Sequence, residues 1–256
     1  MKAVLSKRGD RGYEKAAQTD PYFAVIPFPQ FRRSGLSEER LKEFFSIGDQ
    51  HIESVLSGIR THFDLNFKPR RVLDYGCGTG RLVVPLAKVA DQVVGADISP
   101  TMLEETRRNC QRFNLNNVEL VLADDNCTQI SGNFDLIHST IVFQHIPPKR
   151  VAKIVRGLLG RLEPGGFGAL QFMFWSPTAM RASRFIKGAI PFGNSIANLI
   201  KGRPRDFGYI GLHPFSMNKI VAILCDAGVR EIFATFDDGK AFGGDRSVDV
   251  TFRAGR

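Results

Sequence analysis

The sequence predicts an α/β domain, doubly wound around a mostly parallel seven-stranded sheet. Three observations lead there. From Arg71 onward, short apolar runs alternate with helical stretches, and repeated strand–helix units close as a parallel sheet with right-handed crossovers. The first of those runs opens directly into a glycine cluster, Gly76-Cys-Gly78-Thr-Gly80, a turn that brings backbone close to a ligand at a helix start. The 256 residues, 43% hydrophobic and 24% charged, suffice for one sizeable core and exclude disordered, collagen-like and coiled-coil readings.

Each element follows from its local pattern. Up to about Lys68 the chain reads as helical and irregular. Ser37 before Glu38 and Glu39 starts a helix with an acidic first turn. Leu41, Phe44 and Phe45, then Ile52, Val55, Leu56 and Ile59, recur at helical spacing. Buried strands are predicted at 72–75, 92–96, 118–122, 134–138 and 167–172. Pro85 falls in the helix after the glycines and predicts a kink there. Before the fifth strand, Val151, Ile154, Val155, Leu158, Leu159 and Leu162 form an apolar face opposite Lys149, Arg150, Lys153, Arg156 and Arg161. Pro147-Pro148 opens that helix and Pro164-Gly165-Gly166 closes it. Ser216 opens another, with Met217, Ile220, Val221 and Leu224 inward and Gly228 as its stop. Strands at 230–236 and 247–252 complete the seven.

The formal charge of +9 is unevenly placed. Between Glu163 and Asp206 there is no acid, whereas Arg181, Arg184, Lys187, Lys201, Arg203 and Arg205 fall there. The basic pI is thus local and no general nucleic-acid signature. No apolar run reaches the roughly 20 residues of a membrane span, and the N-terminus has no signal-peptide pattern, so a cytoplasmic location is expected. Cys77, Cys110, Cys127 and Cys225 lack the paired spacing of a zinc site and read as reduced thiols; no metal is expected.

The chemistry concentrates at the strand ends. The first strand runs into Asp74-Tyr-Gly76-Cys-Gly78-Thr-Gly80-Arg, the second ends in Asp97, and the third in Asp124-Asp125. A carboxylate at the second strand's end can accept both hydroxyls of a ribose, and one at the third can meet an adenine amino group. All three ends converge on the crevice where open α/β sheets bind ligands.

V-L-D-Y-G-C-G-T-G-R-L, V-V-G-A-D-I-S-P-T-M-L, L-A-D-D, F-D-L-I-H-S-T-I-V-F-Q-H-I-P-P and L-E-P-G-G, in that order, resemble the motifs of class I S-adenosylmethionine-dependent methyltransferases. They run from Arg71 to about Gln171. The resemblance implies the Rossmann-like methyltransferase fold and S-adenosyl-L-methionine as cofactor. It implies that Asp74, Tyr75, Gly76, Cys77, Gly78 and Gly80 lie along the methionine part. Asp97 then takes the ribose hydroxyls, Ile98 and Met102 flank the adenine, and Asp124 or Asp125 reads its amino group. Ser139, closing the fourth strand, is counted among the cofactor contacts. An NAD-binding dehydrogenase would also use glycines and a later acid. Its spacing is usually G-x-G-x-x-G rather than G-x-G-x-G, and Asp74 beside the loop would repel a pyrophosphate.

A hydroxyl acceptor usually needs its proton removed. His145, in Gln144-His145-Ile146-Pro147-Pro148, is the first candidate for that base; packing on the cofactor or capping the next helix is the alternative. His213 is a weaker candidate, His138 reads as structural, and His51 and His62 carry no local signal. Cys77 reads as packing between glycines, not as a nucleophile. The loop His138-Ser-Thr-Ile lacks the N-P-P-Y pattern of base and glutamine amino-group methylases, so nucleic acid is not expected. The expected organisation is an N-terminal helical cap over 1–68 and a methyltransferase domain over 69–256, with a lid insertion at 172–215 after strand five. The expected activity is O-methylation of a small hydroxylated or carboxylated acceptor, anionic or amphiphilic. Small-molecule N-methylation and non-catalytic cofactor binding stand as alternatives. The insert reads as a lid over the acceptor or, less favoured, as a surface for anionic lipid.

Overall fold

The computed structural model describes residues 8–178, 180, 193–200, 207–240 and 244–255. Seven strands form one sheet: β1 (Arg71–Tyr75), β2 (Gln92–Asp97), β3 (Val118–Leu122), β4 (Phe134–Ser139), β5 (Leu162–Trp175), β6 (Glu231–Phe236) and β7 (Arg246–Arg253). Their order is β3-β2-β1-β4-β5-β7-β6. β7 runs antiparallel between β5 and β6, and the other pairings are parallel. The predicted doubly wound sheet is thus present, with one antiparallel hairpin at its end. β1, β2 and β4 are buried almost throughout, as central parallel strands covered on both faces must be.

Alternation along β1 sorts the two faces. Leu73 and Tyr75 join a core with α6 (Pro148–Leu159) and α8 (Met217–Asp226). Val72 joins the opposite core with α3 (Glu38–His62), α4 (Val83–Val89) and α5 (Pro100–Arg112). The topological switch lies between β1, from which the chain winds outward through β2 and β3, and β4, to which it returns. Ligands of such sheets bind outside the strand ends at that point.

Several local readings are corrected. Pro164-Gly165-Gly166 does not close α6, which ends at Leu159 with Gly160 as cap; the triplet lies inside β5. Gly165 is held at φ +78° there. Pro85 makes no mid-helix break, because α4 begins at Val83 and a first-turn N–H has no intrahelical acceptor to lose. Val221 is 41% exposed, and Ile223 takes the inward place beside Ile220 and Leu224. β5 continues to Trp175, beyond the Phe172 where the insertion was expected to begin.

The N-terminal segment is more ordered than its sequence suggests. It contains α1 (Arg8–Thr19), α2 (Pro21–Val25) and two 3₁₀ turns before α3. Ser37 caps α3 by accepting the Arg40 N–H at 3.3 Å. Phe44 on α3 is fully buried and meets Tyr22, Phe31 and Phe45 edge-on at 5.2–5.5 Å. Phe44→Ala is therefore expected to destabilise the fold by about 3–5 kcal/mol, read as a lower urea midpoint. Leu65→Ala, at a 79% exposed position, should leave that midpoint unchanged.

Arg181, Arg184, Lys187, Lys201, Arg203 and Arg205 lie outside the described residues. Within the insertion, α7 (Gly193–Ile200) turns Ile196, Leu199 and Ile200 to solvent, while Asn194 and Asn198 donate to the Phe207 carbonyl. No helix among the described residues is long and apolar enough to cross a membrane.

Candidate functional site

The site grows from the end of β1. Gly76 and Gly78 adopt φ of +80° and +56°, where a side chain is strained. A Cβ on Gly76 would lie 2.3 Å from Val142 Cγ2, and one on Gly78 would lie 2.9 Å from Val25 Cγ2. The loop thus passes under the turn after β4 and under α2 with no room to spare. Its backbone is tied to β2 through Gly76 N–H and Cys77 N–H, both donating to Ala96 O.

Above the loop is a cavity of about 960 Å³, the open space at its mouth included. Tyr75, Gly76, Cys77 and Gly78 form its floor, Asp97, Ile98, Ala123 and Asp125 one wall, and Thr140, Ile141, Val142 and His145 another. Ile141 sits at φ +60°, a costly conformation for a β-branched residue, worth about 1–3 kcal/mol. Its N–H donates to Gln171 Oε1 at 3.0 Å, which helps hold the turn.

Asp97 accepts the Gly78 N–H at 2.9 Å and the Ser99 N–H at 2.8 Å. Burial pushes its carboxyl up to about 6 against those two bonds, and Asp74 and Glu14 add to the rise. Asp125 lines the cavity while gripped by Arg150 at 2.7–3.0 Å; the same guanidinium holds Asp10 of α1 at 2.8 and 3.1 Å. Arg150 thereby closes α1 onto the third strand's end. Asp124, by contrast, is turned into its own loop, accepting from Asn126 N, Thr128 N and the Thr128 hydroxyl.

Other expected residues support the walls without lining them. Met102 is fully buried in the first turn of α5, Gly80 packs against Thr106, and the Ser139 hydroxyl donates to Tyr75 O at 2.8 Å. Asp74 lies behind the floor, 2% exposed, with Oδ1 on His138 Nδ1 at 2.9 Å and Oδ2 unpartnered. The Cys77 thiol is fully buried and, through burial and the charges of Asp97 and Asp74, pushed well above its ordinary range. It is not a nucleophile at neutral pH.

His145 ends a 3₁₀ turn at Phe143–His145, and its Nδ1 lies 2.9 Å from Gly211 O. A carbonyl only accepts, so Nδ1 carries the hydrogen and the ring's lone pair is on Nε2. His213 does not line the cavity; its N–H donates to Gln144 O at 2.7 Å, and burial lowers its imidazole. That bond, with Phe215 N–H on Met173 O, pins the segment that brings Ile210 and Gly211 to the cavity.

Three groups of lining residues were not singled out from sequence. Arg81, the last letter of the glycine motif, lines the cavity with Nε buried and unpartnered. Gly9, Asp10 and Tyr13 come from α1, and Ile210 and Gly211 from the last part of the 172–215 stretch. α1 meets that segment backbone to backbone: a Cβ on Gly208 would lie 1.7 Å from Gly12 O. The sequence signal was only the glycines themselves.

Residues 72–166 match the family described as a methyltransferase domain. This stretch of the chain is a methyltransferase domain. It is of class I, the S-adenosylmethionine-dependent type. An uncharacterized methyltransferase of Synechocystis sp. is 32% identical over 118 residues, 43% of this chain and 54% of that protein. The chain thus spans about half the length of that curated relative. The N-methyltransferase NodS of Bradyrhizobium japonicum, solved with S-adenosylhomocysteine, superposes with a TM-score of 0.60 at 15% identity, covering 98% of this chain and 100% of that one. Magnesium protoporphyrin IX methyltransferase of Synechocystis, also solved with S-adenosylhomocysteine, gives 0.58 at 20%, covering 92% and 97%. At these identities the two structures share the fold.

The methyltransferase domain fits its family's cofactor chemically. Among the described residues an unpartnered carboxylate oxygen, Asp74 Oδ2, and an unpartnered guanidinium nitrogen, Arg81 Nε, lie in mutual electrostatic reach. They complement the ammonium and carboxylate of an amino-acid moiety. The glycine floor leaves no Cβ to fill the space.

Proposed function

We propose that the protein is an S-adenosylmethionine-dependent methyltransferase that O-methylates a small hydroxylated or carboxylated acceptor. S-adenosylmethionine supplies an electrophilic methyl group on a sulfonium. Asp97 would hold the ribose hydroxyls, Ile98 and Ala123 would flank the adenine, and Asp125, steadied by Arg150, would face the base. Tyr75, Gly76, Cys77 and Gly78 would run along the methionine part, with Asp74 and Arg81 taking its charged end. Burial lowers Arg81 to about 10, Asp74 opposing that fall, so the guanidinium stays charged at neutral pH.

The observation that carries the O-methyl reading is the contact of His145 Nδ1 with Gly211 O at 2.9 Å, on a residue that lines the cavity. In the neutral ring that contact puts the hydrogen on Nδ1 and the basic nitrogen at Nε2. A base so fixed can take an acceptor's hydroxyl proton as the oxygen attacks in line with the methyl. The Gly211 carbonyl would steady the imidazolium that results.

The test is incubation with methyl-labelled S-adenosylmethionine and fractionated small metabolites, with mass spectrometry of the product. Label in an ether or ester supports the reading. Label on nitrogen replaces it by N-methylation. Cofactor binding without label transfer to any fraction turns the protein into a binding module, and tighter binding of NAD than of S-adenosylmethionine removes the cofactor assignment.

A further inference from the structure

His138 and His51 have had no role so far, and the fold sets them in line with Asp74. His138 on β4 stands opposite Asp74 on β1 in the parallel register, on the sheet face covered by α3. His138 Nδ1 is 2.9 Å from Asp74 Oδ1, and its Nε2 is 2.9 Å from Nε2 of His51 on α3. His138 and Asp74 are 1% and 2% exposed. A buried run of three ionisable groups is costly unless every bond in it is made.

Hydrogen counting gives the run a direction. A carboxylate can only accept, so His138 donates through Nδ1–H, and in the neutral ring its lone pair is then on Nε2. The short contact between the two Nε2 atoms then needs the hydrogen of His51, whose own lone pair is left on Nδ1. Every N–H in the run points toward Asp74. Arg81 faces His51, Asp249 of β7 faces His138, and burial lowers His51 to about 3, so the His51 ring stays neutral near neutral pH.

We propose that His138 and His51 are positioning residues that pin Asp74 by Oδ1 and reserve Oδ2 for the ammonium of an amino-acid moiety, whose carboxylate goes to Arg81. The inference rests on the cofactor reading above and extends it to residues outside the cavity wall. Its physical core is the asymmetry of the carboxylate: one oxygen holds a two-ring chain, while the other is buried without a donor. The second oxygen would then accept from the ligand's ammonium. The His51 ring adds to this by fixing the His138 tautomer, since without a donor on Nε2 the His138 ring can turn its other nitrogen to Asp74.

The experiment compares two ligands that differ in this moiety alone. S-adenosylhomocysteine carries the ammonium and carboxylate; 5′-methylthioadenosine keeps the adenosine and sulfur but lacks both. Calorimetry on His138→Leu should show S-adenosylhomocysteine weakened by about tenfold or more, as loss of order at a charged hydrogen bond implies, with methylthioadenosine within twofold of wild type. His51→Leu, at a half-buried position, should show the same selective loss at about threefold. His138→Asn, whose amide N–H can replace the Nδ1 donor, should restore the ratio of the two affinities. If His138→Leu does not fold, His51→Leu and His138→Asn carry the test. Equal weakening of both ligands makes the histidines merely structural and overturns the proposal. So does an unchanged ratio in His51→Leu and His138→Leu. Wild-type protein that binds neither ligand overturns it together with the cofactor reading, and this result is distinct from the other two.

Discussion

Replacing His145 by alanine is expected to lower turnover by about 10²–10⁴-fold, the usual contribution of a positioned base. Cofactor affinity should stay within threefold of wild type, because in the proposed reading His145, on the turn after β4, meets the acceptor and not the cofactor. Steady-state kinetics, with kcat and KM separated, beside calorimetry with S-adenosylhomocysteine, reads both. A variant with near-normal kcat would remove the base and make an amine, which needs less help with its proton, the better acceptor.

The Asp97→Ala substitution should weaken S-adenosylhomocysteine by at least about tenfold, since hydrogen bonds to a charged group contribute roughly 1.5–3 kcal/mol each. The pH dependence is equally specific. Burial places Asp97 at about 6 in the folded, ligand-free protein, so a proton occupies it below that pH. Ribose hydroxyls donate to the anion, and binding must then expel the proton. Affinity should therefore be flat above pH 7 and fall by up to about tenfold per unit below pH 6. Stability moves the other way. A carboxyl raised from its usual 3.8 favours the folded state when protonated, so this contribution is full below about pH 3.8 and is lost as pH rises through 6. Its size is on the order of 2–3 kcal/mol, at 1.36 kcal/mol per unit. Melting curves of the ligand-free protein should show that slope in wild type and lose it in Asp97→Asn.

The strands were legible because each is a local pattern of apolar residues, and burial of β1, β2 and β4 on both faces enforces it. The glycine loop and Asp97 were legible for a related reason: backbone that must bend at positive φ under Val142 and Val25 admits no side chain. Local reading failed where one residue type serves two purposes. Pro164-Gly165-Gly166 carries the marks of a helix stop, yet the pairing of Leu162 with Phe134 before it and of Phe167 with Leu136 and Arg253 after it carries it through β5 as an irregularity. Asp124 and Asp125 are adjacent and alike in sequence. Only the arrival of Arg150 from α6 and Asp10 from α1 turns one into the cavity wall, while the other caps its own turn.

What the sequence alone determined is therefore the sheet, its carboxyl-edge crevice and the family of its cofactor loop, all set by neighbours within a few residues. The tertiary structure alone decided which side chains complete the site. Arg150 reaches Asp10 across 140 residues, His138 reaches Asp74 across 64, and His51 reaches His138 across 87. None of these pairs has a local signature, because a charged or aromatic side chain reads the same in sequence whether it faces water or a partner. Burial distinguishes them: deep in the fold a polar group must find a partner or remain unsatisfied. That condition joins His51, His138 and Asp74 and leaves Asp74 Oδ2 waiting for a cation.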